Sequence, residues 1–360
     1  MAALPEAAHG ALLTIDLGAI ADNWRLLAAR AGHAECGAVI KADAYGCGIG
    51  KVAPALWAAG CRTFFVAHLK EAATARAVLP PEAVVYVLNG LLPGSRHTYA
   101  LVGARPVLGS AEEIGEWASG AGGPFALHVD TGMNRLGLPL AQLTAADGLT
   151  PALVMTHFSA SEDKADPANA RQIAAFAEVA ARFPGSARSL LNSSGHFLPG
   201  APAWDLTRPG YALYGGNPTP GAPNPMHPAV TLTATILQVR DVPDGAGVGY
   251  NSRWHAKGPR RLATLCLGYA DGYPRNGSNT DDVRGGHALV GGALCPFAGT
   301  VSMDLIIIDV TDAPRDAARR GESVTLIGGA LDIDTVGQSA KTIGYELLTN
   351  LGRRYARRYV

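Results

Sequence analysis

Residues Thr63–Leu88 read TFFVAHLKEAATARAVLPPEAVVYVL. The run Thr63–Ala67 is apolar and rich in residues that favour strands. Leu69–Leu79 carries alanine and leucine at helical spacing, with Glu71 and Arg76 placed for solvent. Two prolines close that stretch, and Val84–Leu88 reads as a strand again. Strand, helix and strand at this spacing form a parallel βαβ unit. The same alternation extends outward to Gly37–Ile40 on one side. On the other it reaches Pro106–Leu108, Phe125–Val129, Leu153–His157, Ser189–Asn192 and Asp205–Arg208, with a helical pattern at Asn169–Phe183 among them. Eight strands is the count of an N-terminal (β/α)8 TIM-like barrel in an α/β chain, with an open doubly wound sheet as the alternative.

The stretch Pro218–Pro228, PTPGAPNPMHP, cannot continue a helix or a central strand and marks a boundary. Residues 1–228 are therefore read as the barrel domain, and those before about 16 as able to pack on the second domain. Residues 229–360 read as a mainly-β domain with strands at Thr231–Val239, Arg261–Leu267, Ala288–Gly291, Leu305–Val310 and Ser323–Ile327. The end of the chain, Tyr345–Tyr359, reads as an arginine-rich helix whose charges face solvent.

The 360 residues have a formal net charge of zero, so no bulk field draws nucleic acid or an anionic membrane. No apolar run is long enough to cross a bilayer. The opening MAALPEAAHGALLTIDLGAI lacks a basic segment and does not resemble a signal peptide. Five cysteines without a C-x-x-C pair argue against a disulfide framework or structural zinc, and a cytoplasmic setting is expected. No histidine and carboxylate spacing suggests a metal site.

Working residues of such barrels cluster at the C-terminal ends of the strands. The residues just past the candidate strands are Lys41 and Tyr45, Asp130 and Arg135, His157, Asn192 and Ser193, and Arg208 with Gly210. Lys41 follows Ala38-Val39-Ile40, where desolvation favours the neutral amine needed for Schiff-base chemistry. A lysine paired with Asp43 is the plainer alternative. The small residues at Ser193–Gly195 and Arg208–Gly210 suit a phosphate, or are two ordinary turns.

Taken together these residues resemble the alanine racemase family. The resemblance is carried by Ala38–Gly46 (AVIKADAYG), Asp130–Gly137 (DTGMNRLG), Thr156–Phe158, Asn192-Ser193, Arg208–Gly210 with Tyr214-Gly215, Gly268–Gly272 (GYADG), Ser302–Asp304 and Tyr345-Glu346. It implies a barrel followed by a β domain, with pyridoxal 5'-phosphate held covalently by Lys41. Tyr45, His157, Asn192, Ser193, Gly210, Tyr211 and Tyr345 would line the cofactor, and Arg208 would face its ring nitrogen. An arginine there cannot take up the ring proton as a carboxylate would, which favours racemisation over transamination. Lys41 and Tyr269 would be the two bases acting on opposite faces of the α-carbon, with His157 and nearby arginines assisting Tyr269. Arg135 and Met303 would orient the substrate. The resemblance also implies a homodimer in which Tyr269 and Met303 reach the neighbouring subunit's cofactor, and a product, D-alanine, that supplies peptidoglycan.

Two positions depart from the family pattern. His128 stands where the family commonly has a lysine, often carbamylated, that steadies the arginine matching Arg135; no dependence on carbon dioxide is therefore expected. Cys47 stands where many relatives have histidine, which implies a small packing change. The rival readings are a broad-specificity amino-acid racemase, a decarboxylase of the same fold class and a non-catalytic cofactor carrier. The decarboxylase would need a glycine-rich loop after His157, where Phe158-Ser159-Ala160 stands. The carrier would lack the β domain.

Overall fold

The computed structural model describes Pro5, residues 8–120 and residues 122–360. Most of the first residues on which the leader reading rests, Met1–Leu4, Glu6 and Ala7, lie outside the described residues. The chain divides into two compact units, residues 18–227 and residues 1–17 with 228–360.

The first unit is a ring of parallel strands: Glu35–Cys36 continued by Ala38–Val39, Thr63–Val66, Val84–Val87, Arg105–Leu108, Ala126–Asp130, Leu153–Met155, Ala187–Ser189 and Leu206–Thr207. Each pairs in parallel with the next from Ala38–Val39 to Ala187–Ser189, and Leu206 pairs with Glu35. The last gap closes through Asp205 N–H to the Arg188 carbonyl at 3.0 Å and Arg208 N–H to the Leu191 carbonyl at 2.8 Å. Thr63–Val66 is buried along its whole length, because a parallel strand is covered on both faces. That is why the quoted stretch reads as a continuous apolar run. The crossover helix Pro167–Ala181 shows the matching logic. Asp166 accepts the Ala168 N–H, proline occupies the first turn, and Asn169, Gln172, Phe176, Val179 and Ala180 face inward.

The sixth strand stops at Met155 and the seventh at Ser189, short of the expected His157 and Asn192. Asn192 leaves the sheet because its carbonyl oxygen Oδ1 accepts the Gly195 N–H at 2.9 Å and starts the turn Ser194–Phe197.

The second unit is built on the long strand Val230–Val242, which pairs antiparallel with Ala11–Ile15, Ser323–Ile327 and Arg260–Leu265. A bulge between Ile236 and Gln238 bends it, so its two halves serve different partners. The chain end corrects the helical reading of Tyr345–Tyr359. Helix Gly344–Thr349 is followed by a strand, Ala356–Tyr359, parallel to Ala11–Ile15. The helix is capped by Asn350, and beyond it the Gly352 N–H donates to the Asp271 carbonyl at 2.9 Å.

Candidate active site

Ile40, just past the first strand, is fully buried. The next five residues, Lys41–Tyr45, form one turn in which Ala42, Asp43, Ala44 and Tyr45 have φ between 52° and 54°. Left-handed backbone costs an L-residue roughly 1–2 kcal/mol, so the turn persists only because its surroundings hold it. Glu71 does much of the holding. Its carboxylate accepts the N–H of Ala42 at 2.7 Å, of Ala67 at 2.8 Å and of His68 at 3.1 Å. The solvent-facing reading of Glu71 is thus corrected: it stands three residues after the helix-capping His68, where a carboxylate turns back onto the backbone. Asp43 accepts the Ile49 N–H at 2.8 Å, so its carboxylate shapes the turn. The Tyr45 ring stacks on Tyr214 at 4.7 Å, and the Tyr214 hydroxyl donates to the Val39 carbonyl at 3.0 Å. Cys47 packs fully buried behind it. The result fixes Lys41 at the barrel mouth. Burial and then the Arg135 cation push its ammonium below the ordinary lysine range, while Glu71 opposes them.

Beside this turn lies a cradle of small residues. The Ser193 hydroxyl accepts the Gly210 N–H at 3.0 Å and the Ala212 N–H at 3.2 Å, at the start of the turn Tyr211–Tyr214. A Cβ on Gly210 would stand 2.6 Å from the Tyr45 hydroxyl oxygen, so only glycine keeps this corner open to an anion. Arg208 is 3 % exposed and donates to the Ser189 hydroxyl and the Thr156 carbonyl. Burial pulls its guanidinium down to about 9. Among the described residues no carboxylate forms an ion pair with Arg208 or with Arg135.

The same crowding of cations discharges two histidines. Burial, then Arg208, brings His128 down to about 4, so its imidazole is neutral near pH 7. Burial and the charges of Arg208 and Arg135 push His157 well below the ordinary histidine range. Asp130 accepts the N–H groups of Gly132, Met133 and Asn134 and so folds the loop that carries Arg135. The sequence reading missed Gln172. Its amide donates to the His157 carbonyl at 2.9 Å and accepts the Ser159 N–H at 2.9 Å. A polar residue on the inner face of the helix Pro167–Ala181 was the signal for it.

Tyr269, Met303 and Tyr345 lie in the second unit, unlike the other predicted site residues. Tyr269 opens the short turn Tyr269–Asp271, and its N–H donates to the Ser302 carbonyl at 3.0 Å. The Ala270 N–H donates to the Met303 carbonyl at 2.9 Å, so Tyr269 and Met303 are neighbours. Both are exposed, at 39 % and 54 %. Tyr345 stands in the first turn of helix Gly344–Thr349.

A lysine biased toward its neutral form beside an anion cradle, at the mouth of a closed parallel barrel, is the equipment of an enzyme that bonds a carbonyl compound through an amine. Comparison with known proteins narrows that class. The "Alanine racemase, N-terminal domain" profile matches residues 15–218 and "Alanine racemase, C-terminal domain" matches 229–359. The alanine racemase of Methylobacterium sp. (strain 4-46) is 61 % identical, covering 98 % of this chain and 98 % of its own. The crystal structure of alanine racemase from Bartonella henselae with covalently bound pyridoxal phosphate is 39 % identical. It superposes with a TM-score of 0.91, covering 98 % of this chain and 99 % of its own. The biosynthetic alanine racemase of Pseudomonas aeruginosa, 34 % identical, superposes with a TM-score of 0.90 over 98 % of this chain and 99 % of its own. The chain belongs to the alanine racemase family.

Proposed function

We propose that the chain interconverts L- and D-alanine with pyridoxal 5'-phosphate, using Lys41 and Tyr269 as its two bases. The observation that carries this reading is the Lys41 turn: a lysine amine held by strained backbone at the barrel mouth and biased toward its neutral form. The residues present fit the cofactor. Gly210 leaves the space a Cβ would fill beside Tyr45 and Ser193, where a phosphate meets hydroxyls and backbone N–H groups. Tyr45, Asn192, Ser193, Gly210, Tyr211, His157 and Tyr345 are assigned to holding it. Arg208 is assigned to its ring nitrogen. When bound, the cofactor withdraws electrons from the α-carbon of an attached amino acid and makes its α-proton acidic.

The chain's own groups then divide the work. Lys41, its amine biased toward the neutral form, takes the α-proton of D-alanine or returns one to that face. The Tyr269 hydroxyl oxygen does the same on the opposite face, so the substrate need not turn. Arg135, without a carboxylate partner among the described residues, offers its guanidinium to the substrate carboxylate, and Met303 helps orient it. The exposure of Tyr269 and Met303 in the single chain supports a homodimer in which each copy lends these residues to its neighbour. A cytoplasmic role supplying D-alanine for peptidoglycan fits the naming of the Pseudomonas relative as biosynthetic.

One mixing experiment tests the reading. Lys41→Ala and Tyr269→Phe should each lose at least about 10³-fold in racemisation. Co-refolded in equal amounts, they should regain roughly a quarter of wild-type activity, because half the dimers would hold one intact site. A Tyr269→Phe variant that racemises normally, or a mixture that regains nothing while forming mixed dimers, overturns it. Serine, lysine and arginine as substrates measure breadth beyond alanine.

A further inference from the structure

We propose that Arg354 is the positioning residue for Tyr269 and Met303, tying their two turns together through a guanidinium laid across Asp271 and Asp304. The inference rests on the reading of Tyr269 as a base. Three segments of the second unit meet here. Residues 268–272 carry Tyr269, residues 302–305 carry Met303, and residues 350–354 arrive after the helix Gly344–Thr349. Glycines permit the approach. A Cβ on Gly268 would meet the carbonyls of Ser302 and Met303 at 2.4 Å, and one on Gly352 would meet the Asp271 carbonyl at 2.8 Å. Gly272, at φ 96°, would place its Cβ 1.9 Å from the Asn350 carbonyl.

Asp271 is the fixed point of the braid. It is buried, its Oδ2 accepts the Gly268 N–H at 2.9 Å, and its Oδ1 lies 3.3 Å from Arg354 Nε. Asp304 is exposed and sits one residue beyond Met303. Arg354 Nη2 reaches its Oδ1 at 2.7 Å. The arginine therefore links a carboxylate built into the Tyr269 turn to the loose end of the Met303 turn. A guanidinium presents separate N–H groups to two acids at once, whereas a lysine ammonium is a point charge on a flexible stem. Arg354 and Asp304 are half-exposed, so their ion pair adds little to global stability, and its effect falls on where the two turns sit. The arginine-rich chain end, read from sequence as a solvated helix face, acquires this task once Gly352 turns it back across the Tyr269 loop.

The test uses Arg354→Met and Arg354→Lys in the full-length holoenzyme beside Tyr269→Phe. Amide hydrogen exchange in peptides covering 268–272 and 302–305 should accelerate by about tenfold or more in Arg354→Met, and less in Arg354→Lys. Peptides of the barrel unit and the melting temperature should stay as in wild type. Racemisation should fall by about tenfold, while α-deuterium incorporation into D-alanine, which needs Lys41 alone, falls less, so the ratio of exchange to racemisation rises. Unchanged amide exchange in Arg354→Met overturns the tie, and so does a parallel fall of both reactions. Normal racemisation by Tyr269→Phe overturns the assignment of the base, and amide exchange still decides whether Arg354 holds the two turns.

Discussion

The turn that carries Lys41 and the turn that carries Tyr269 solve one problem in opposite ways. The barrel turn uses glycine only at its close, where Gly46 stands at φ 78°. Four L-residues are forced to φ near 50°, and a partly buried carboxylate, Glu71, grips the backbone to keep them there. The β-unit turn removes side chains instead. Gly268, Gly272 and Gly352 let three segments touch, and a half-exposed arginine closes the braid. The first is held against strain, the second by close fit. A strained turn depends strongly on its clasp, whereas a fitted turn depends on its glycines and only lightly on its clasp. The two also face different charges. Lys41 shares its mouth with Arg135, Arg208 and discharged histidines, while Asp271 is already neutralised by Arg354.

That difference in charge gives the largest expected contrast, in acid. His128 titrates at about 4 in the folded chain against 6.5 for an ordinary histidine, and His196, buried between Asn192 and Thr207, also lies at about 4. Between those values the unfolded chain binds more protons than the folded one. Stability is therefore complete above pH 6.5 and is lost as the pH falls toward 4, by roughly 3 kcal/mol for each histidine. The barrel should loosen before the β unit, which amide hydrogen exchange at pH 7 and pH 5 resolves unit by unit. His128→Gln should flatten part of the slope. A melting temperature that is level from pH 7 to pH 5 would break this side of the comparison. Activity that persists in buffers stripped of carbon dioxide would sharpen it, since neutral His128 cannot carry a carbamate.

The clasps come next. Glu71→Gln keeps the shape but places an amide donor against one of three backbone N–H donors, and removes the charge that opposes the fall of the Lys41 pKa. Hydrogen bonds to a charged acceptor contribute about 1.5–3 kcal/mol, so racemisation should drop on the order of 10–100-fold. The pH dependence of cofactor uptake by the apoprotein should shift toward acid, because the free Lys41 ammonium loses a stabilising neighbour. An effect smaller than that of Arg354→Lys would reverse the ranking of the two clasps.

Much of this was legible in the chain. The strand ends carried Lys41, His157 and Arg208 to one barrel mouth, as Thr63–Leu88 and its neighbours implied, and the proline-rich stretch stood next to the boundary between units. What escaped was conformational or long-range. Nothing in Lys-Ala-Asp-Ala-Tyr announces left-handed backbone, because local propensity favours an ordinary right-handed turn there. Glu71 looked solvated although its place three residues after His68 suits a capping carboxylate; what the local sequence hides is its third contact, to Ala42 on another element. The last strand looked helical because the residues that pair with it, Ala11–Ile15, lie at the other end of the chain.

The smallest effect belongs to Ala42→Gly, and it tests the strain directly. Ala42 is exposed and has φ 52°, so its methyl packs against little while its backbone sits where an L-residue is disfavoured. Glycine would release roughly 1–2 kcal/mol of that penalty in the folded chain. It would also loosen the unfolded chain, which costs about 0.4–1 kcal/mol. The net is between zero and about 1.6 kcal/mol of stabilisation, where the same change inside an ordinary helix destabilises by about 1 kcal/mol. Urea midpoints of the two proteins measure it. A loss of stability as large as that of an ordinary helix would mean that the turn is not strained, and Glu71 would then be a cap like any other. A gain in stability accompanied by slower racemisation would mean that rigidity in the turn, rather than the presence of the amine alone, keeps Lys41 in place for catalysis.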